Sequence, residues 1–274
     1  MYIKYMAPPI SLNQSVDPWV SVMCSPGGAH PLRREGSALV DSLGRSYPIE
    51  HGIPRLLIES DLSGSDVQWN RFYDAFAPFY EINERFFGWV FTGLHMRTEQ
   101  AQMVASLGIK PGCSLLEICT GPGVFQPLLA QAVGAEGRMV ALDLSMGMLR
   151  KCARRTRQQR PVPLVIQANG DLLPFADASF DYVFHFGAIK LFTSPAKALL
   201  ECARVLRPGA RLFLGDEGFQ PTIPKQSWRR QLMMRLSPGF QKPPPALPKQ
   251  LKLIERRDVY DGLAFLWTLE RIKT

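Results

Sequence analysis

Three carboxylates, Glu117, Asp143 and Asp171, each stand at or just beyond the end of a short apolar run. A glycine-bearing loop, Cys119-Thr-Gly-Pro-Gly123, follows the first of them. These types and this order suit a nucleoside-shaped ligand. A carboxylate can accept hydrogen bonds from both hydroxyls of a ribose, and Asp143 falls about twenty residues after the glycine loop, where a second strand would end. Asp171, in Asn169-Gly-Asp-Leu-Leu-Pro-Phe175, can accept from the exocyclic amine of an adenine. Glycines at 121 and 123 let backbone approach a ligand without a Cβ in the way, and the helix start behind them attracts an anion. Each signal alone is weak. Their order, at spacings that fit one βαβαβ unit, is much more specific.

The elements that must position these residues alternate strictly from residue 111 onward. Apolar runs at 114–119, 138–144, 163–167, 180–185 and 210–215 read as strands. The stretches between read as helices, one over 124–133, one capped by Ser145 with Met148, Leu149 and Cys152 facing inward, and one opened by Ser194-Pro195. The last of these buries Ala198, Leu199, Cys202 and Val205 and stops at Arg207-Pro-Gly209. Such alternation implies a parallel sheet with helices on both faces, and ligands in that architecture bind outside the carboxyl ends of the strands. Residues 221–248 read as a proline-rich basic loop with one short helix near 227–236. Runs at 251–260 and 263–272 meet at Asp261-Gly262 as a hairpin.

Upstream, residues 66–107 look helical. Trp69, Phe72, Tyr73, Phe76, Phe79 and Tyr80 recur at helical steps, Pro78 should break the run, and Phe86, Phe87, Trp89 and Phe91 continue the aromatic density. This face either packs on the core or forms a lid over an apolar ligand. Residues 1–60 read as short strands and turns. The expected organisation is a small β-rich segment over 1–60, an aromatic helical lid over 61–109 and a ligand-binding α/β domain over 110–274.

The chain has 274 residues, 46% of them hydrophobic and 20% charged, with a net charge of +8. It is expected to be a globular protein of the cytoplasm, with no run long enough to span a membrane and no secretory signal. Five cysteines without CxxC spacing argue against a disulfide framework and a zinc site. The positive excess lies in the region from Lys225 onward and in 151–160. It reads as a solvated surface, or as a contact for an anionic membrane surface, an acidic partner or, less so, nucleic acid.

At this point the sequence resembles a known family. Leu-Leu-Glu117-Ile-Cys119-Thr-Gly121-Pro-Gly123, Val-Ala-Leu-Asp143-Leu-Ser, Gly170-Asp171-Leu-Leu-Pro-Phe175 with Ser179-Phe-Asp-Tyr-Val183, and Leu206-Arg-Pro-Gly209 are similar to successive motifs of class I S-adenosylmethionine (SAM)-dependent methyltransferases. The ubiquinone/menaquinone methyltransferase group is the nearest. The resemblance implies a Rossmann-like α/β fold with a C-terminal antiparallel hairpin, SAM as cofactor, and a small hydrophobic, aromatic or quinone-like acceptor. It implies that Glu117, Cys119, Gly121 and Gly123 hold the methionine end of SAM, that Asp143 holds the ribose and Leu144 the adenine face, and that Gly170, Asp171 and the Leu172 amide read the adenine edge. Phe186 and His185 would border the sulfonium. His185 is the first candidate base and Tyr73 the second. Two positions depart from the pattern: Cys119 replaces the first motif glycine, and Phe184–Phe192 lacks the His-His pair the group often has.

Residues 47–54, Tyr-Pro-Ile-Glu-His-Gly-Ile-Pro, resemble the closing element of a zinc-ribbon-like domain that precedes many bacterial methyltransferases. Of its cysteine ligands only Cys24 remains, so no metal is expected. Two rival functions remain open. An RNA-directed methyltransferase or RNA-associated module would use the basic regions. A nicotinamide-dependent oxidoreductase shares the βαβ unit but usually needs a third glycine where this chain has Gln126.

Overall fold

The computed structural model describes residues 13–58, 62, 64–77, 96–218, 231, 235, 243–260 and 262–273. Helix α1 (Asn13–Val20) leads into strands β1 (Leu32–Glu35), β2 (Ala38–Asp41), β3 (Ser46–Glu50) and β4 (Ile53–Leu56), then α2 (Gly64–Phe76) and α3 (Met96–Ala105). The α/β unit follows: β5 (Ser114–Ile118), α4 (Gln126–Val133), β6 (Arg138–Asp143), α5 (Met146–Thr156), β7 (Leu164–Ala168), β8 (Phe180–Phe186), α6 (Pro195–Val205) and β9 (Leu206–Glu217). Strands β10 (Leu251–Val259) and β11 (Ala264–Arg271) close the chain. The aromatic run at 78–91, the short helix near 227–236 and Asp261 of the Asp-Gly turn largely lie outside the described residues.

Among the described residues the strands form one sheet, ordered β1-β2-β3-β4-β7-β6-β5-β8-β9-β11-β10. Strands β7, β6, β5, β8 and β9 run parallel, while β11 enters antiparallel between β9 and β10. This is the Rossmann-like class I arrangement with its terminal antiparallel hairpin, as the alternation and the Asp-Gly signal anticipate.

The parallel strands are apolar on both sides because helices cover both faces. Alternation assigns each residue to a layer. Leu116, Ile118, Val140, Leu142, Val183, Leu212 and Leu214 join one cluster with α6. Leu115, Met139, Tyr182, Phe184 and Phe213 join another with α3 and α4. Helix starts fall where side-chain oxygens can take the free N–H groups. Ser145 accepts from Met148 N at 3.2 Å and Ser194 from Lys197 N at 3.4 Å.

The N-terminal segment is built into this sheet. Strand β4 pairs parallel to β7, with Arg55 opposite Gln167 and Leu56 opposite Ala168. Trp19, Met23, Leu39, Tyr47 and Leu56 share the first core cluster, and Trp19 stacks on Phe180 at 5.5 Å. Cys24 is buried and its N–H donates to Pro174 O. Helix α1, with Val16 and Trp19 buried, takes the place of the strands and turns expected there. Strand β9 starts at Leu206 rather than 210, because Leu206 pairs with Phe180 before a register shift carries the chain past Pro208-Gly209.

Candidate functional site

The carboxyl ends of the parallel strands and the inner face of α2 enclose a cleft of about 650 Å³. Asp143, the last residue of β6, lines it. Both its oxygens are aimed by backbone: Gly121 N–H donates to Oδ2 at 2.8 Å and Ser145 N–H to Oδ1 at 2.9 Å. Burial raises the Asp143 pKa, opposed by these N–H groups. Each oxygen keeps a lone pair for a ligand hydroxyl.

The glycine loop follows the expected logic in part. Gly121 has φ 54° and open space where a Cβ would stand, so its backbone faces the cleft directly. Cys119 also lines the cleft, with φ 57°, a left-handed conformation that costs a non-glycine residue roughly 1 kcal/mol. Gly123 does not face the cleft. A Cβ there would stand 2.8 Å from Cys152 Sγ, so Gly123 lets α5 approach the loop.

Glu117 lies behind the loop, buried, with Oε2 accepting from Thr120 Oγ1 at 2.6 Å and Gln126 Nε2 at 2.5 Å. Burial pushes its carboxyl up to about 7, against the lowering effect of those two donors. Glu117 therefore braces the loop rather than lining the cleft.

Beyond β7, Asn169 and Gly170 line the cleft and Asp171 sits buried beside them. Asn169 Nδ2 and Asp171 Oδ1 are buried without a hydrogen-bond partner among the described residues. An orphaned donor next to an orphaned acceptor fits the edge of an adenine, which carries both groups. The Leu172 N–H, expected to read that edge, donates instead to Asn169 O at 3.1 Å and closes a turn. Leu144 and Phe186 line the cleft. A Cβ on Gly170 would stand 2.8 Å from the Phe192 ring. Gly170→Ala is therefore expected to shift that ring and weaken nucleoside binding about tenfold, read by titration calorimetry.

The two candidate bases separate. Tyr73, on α2, lines the cleft. Burial, then Asp143, Cys119, Glu217 and Asp216, push its phenol up to about 12, so it keeps its proton at neutral pH. His185 does not line the cleft. It is buried on β8 with Nδ1 3.1 Å from Ile118 O and its ring edge-on to Phe192, and burial lowers its pKa. Strand alternation turns His185 toward Phe192, while Phe186 faces the opening.

Residues outside the sequence expectation complete the site. Asp74 on α2 accepts from Ser145 Oγ at 2.5 Å and Gly147 N at 2.8 Å, pinning the lid helix to the turn that carries Asp143. Ser145→Ala removes the hydroxyl's part of this tie and the α5 cap, leaves the Gly147 N–H bond to Asp74, and is expected to cost about 1 kcal/mol in a urea titration. Asn70, Lys190, Asp216 and Glu217 also line the cleft. The pair 216–217 ends the fifth parallel strand, a position the strand-end rule that singles out Asp143 also covers. Among the described residues no cluster of His, Cys, Asp or Glu could hold a metal ion.

This fold and rim define a Rossmann-like ligand-binding domain. Residues 116–214 match the family model described as "Methyltransferase domain". The chain is 31% identical over 147 residues to a 2-phytyl-1,4-naphtoquinone methyltransferase of Trichormus variabilis, covering 53% of this chain and 62% of that protein. It is 32% identical over 161 residues to a demethylmenaquinone methyltransferase of Lactiplantibacillus plantarum, covering 57% and 66%. The matched stretch thus spans less than two thirds of these relatives. A SAM-dependent methyltransferase from Aquifex aeolicus shares the fold at TM-score 0.50 and 19% identity, over 65% of this chain and 94% of the other.

Proposed function

We propose that this protein transfers a methyl group from SAM to a small, hydrophobic acceptor of aromatic or quinone-like character. The observation that carries the reading is the rim itself: Asp143, with both oxygens aimed by backbone, and Asn169, with Nδ2 orphaned, line a cleft of about 650 Å³, and the orphaned Asp171 Oδ1 is buried next to that lining. That volume exceeds a nucleoside and leaves room for a second molecule. SAM supplies an electrophilic methyl group on a sulfonium. The chain's part is to hold both molecules in line and keep water out, which is mainly proximity and orientation.

In this reading Asp143 accepts from the ribose hydroxyls, Leu144 packs on the adenine, and Asn169 with Asp171 reads its edge. Gly121 and Cys119 border the methionine portion, with Glu117 bracing the loop beneath. Trp69, Phe72 and Tyr73 of α2 wall the acceptor side. The names of the relatives favour a reduced naphthoquinone as first acceptor to test. The experiment is transfer of labelled methyl from SAM to 2-phytyl-1,4-naphthoquinol. A methylated product that needs both enzyme and SAM is the expected result. SAM binding without transfer to any hydrophobic ring would redirect the acceptor assignment. Among the described residues no helix is long and apolar enough to cross a membrane. A lipid-soluble acceptor would give the arginines at 150, 154 and 157, exposed on and just beyond α5, a use at an anionic surface.

A further inference from the structure

The cleft is lined by aromatic rings: Trp69, Phe72 and Tyr73 from α2, Phe186 at the end of β8 and Phe192 beyond it. Its polar atoms are mostly acceptors. Asn70 Oδ1 is buried with no hydrogen-bond partner among the described residues. Asp216, 2% exposed, and Glu217 stand at the end of β9. The cation there, Lys190, is engaged: its Nζ donates to Glu217 O and lies 5.4 Å from the Phe265 ring centre.

Asp216 is held in a fixed attitude. Oδ2 accepts from Lys190 N at 3.0 Å and Oδ1 from Glu217 N at 2.7 Å. An ionised carboxylate has about four lone-pair positions, so acceptor capacity remains on both oxygens. The groups facing it are Tyr73 from α2, Cys119 from the glycine loop, His185 from β8, Lys190 from the turn after β8, and its neighbour Glu217. Tyr73 retains its proton at neutral pH. His185 Nδ1 is engaged with Ile118 O, its Nε2 is buried without a partner among the described residues, and the ring stands outside the cleft lining. Asp216 is thus a buried carboxylate that lines the cleft with its geometry fixed by backbone.

We infer, resting on the methyl-transfer reading above, that the part of the cleft beside Asp216 is a subsite for an uncharged aromatic ring bearing a hydroxyl, and that Asp216 accepts the hydroxyl's hydrogen bond and then its proton. Loss of that proton places electron density on the ring carbon beside the oxygen-bearing carbon. That carbon forms the new bond to the methyl group as the sulfur–methyl bond breaks, its electron pair staying on sulfur in S-adenosylhomocysteine. The methylated carbon then releases its own proton to water, and the proton on Asp216 returns to the ring oxygen. One methyl group enters the ring and one proton leaves. Carboxylate or phosphate acceptors are disfavoured, because Asp216 and Glu217 line the cleft side by side.

The test is calorimetric, on the full chain saturated with S-adenosylhomocysteine, with 1,4-dihydroxynaphthalene and 1,4-dimethoxynaphthalene as probes under anaerobic conditions. The wild type is expected to prefer the dihydroxy probe about tenfold. Asp216→Ala should erase the preference while S-adenosylhomocysteine affinity stays within about twofold. Asp216→Asn, which keeps the shape and one accepting oxygen, covers the case in which alanine impairs folding and should lose most of the preference. Absence of preference in the wild type, or its survival in a folded Asp216 variant, overturns the assignment of Asp216 and leaves cofactor binding standing. Failure of the wild type to bind S-adenosylhomocysteine overturns the methyl-transfer reading itself, and this inference with it.

Discussion

Replacing Asp143 by alanine is expected to weaken SAM binding at least ~100-fold while the chain still folds. Two ribose hydroxyls donating to an ionised carboxylate contribute roughly 1.5–3 kcal/mol each, and ~100-fold corresponds to about 2.7 kcal/mol. Part of the loss is indirect. Asp143 holds the Gly121 and Ser145 N–H groups, so its removal also loosens the glycine loop. Stability should change less than affinity. Two N–H groups lose a partner, but a buried carboxylate whose charge is disfavoured by burial is removed with it. Titration calorimetry with SAM, beside a thermal melt of each protein, separates the two effects. A folded variant with undiminished affinity would remove Asp143 from the ligand site.

The second large effect is a pH-dependent gain in stability from Glu117→Gln. Burial pushes Glu117 up to about 7 in the folded chain, against about 4.3 for an ordinary glutamate. Between those values the folded state holds a proton that the unfolded state has released, so stability falls as pH rises through this window. Below it the residue is protonated in both states and contributes no pH dependence. Above it the buried charge costs ~3 kcal/mol. A glutamine is neutral throughout, and its carbonyl oxygen can accept from both Thr120 and Gln126 as Oε2 does now. Urea titrations should therefore find the variant near wild type at pH 4.5 and more stable by up to ~3 kcal/mol at pH 8. A difference independent of pH would show that Glu117 ionises as an exposed carboxylate does. If this carboxylate braces the loop for a cationic ligand, the same variant binds SAM more weakly even as it gains stability.

The parallel sheet was legible in the sequence because its signals are local and redundant. Apolar runs, caps at Ser145 and Ser194, and the Asp-Gly turn each constrain one element, and their alternation leaves few topologies. Strand β4 was not legible as part of the main sheet. Its attachment to β7 depends on strand pairing between residues more than a hundred positions apart, such as Arg55 and Gln167, whose side chains also hydrogen-bond, and Pro54 obscures it as a strand. Helix α1 was hidden in the same way by Pro18, which a propensity reading takes as a break.

At the site, the strand-end rule located Asp143, Gly121 and the region of Asp171. It could not tell a residue that faces the cleft from its neighbour that faces the core. His185 and Phe186 illustrate this: one step along β8 exchanges a buried histidine bonded to Ile118 O for a ring that lines the opening. Asn70 and Asp74 depend on how α2 docks against the β6–α5 turn, a tertiary contact with no local sequence signal.

One cleft at the carboxyl rim is expected to take the nucleoside of SAM. A crystal structure with S-adenosylhomocysteine tests it most directly. The ribose hydroxyls should lie within hydrogen-bond distance of Asp143, and the adenine edge against Asn169 and Asp171. A nucleoside bound elsewhere, or a rim closed by its own side chains in the presence of saturating ligand, would contradict the claim.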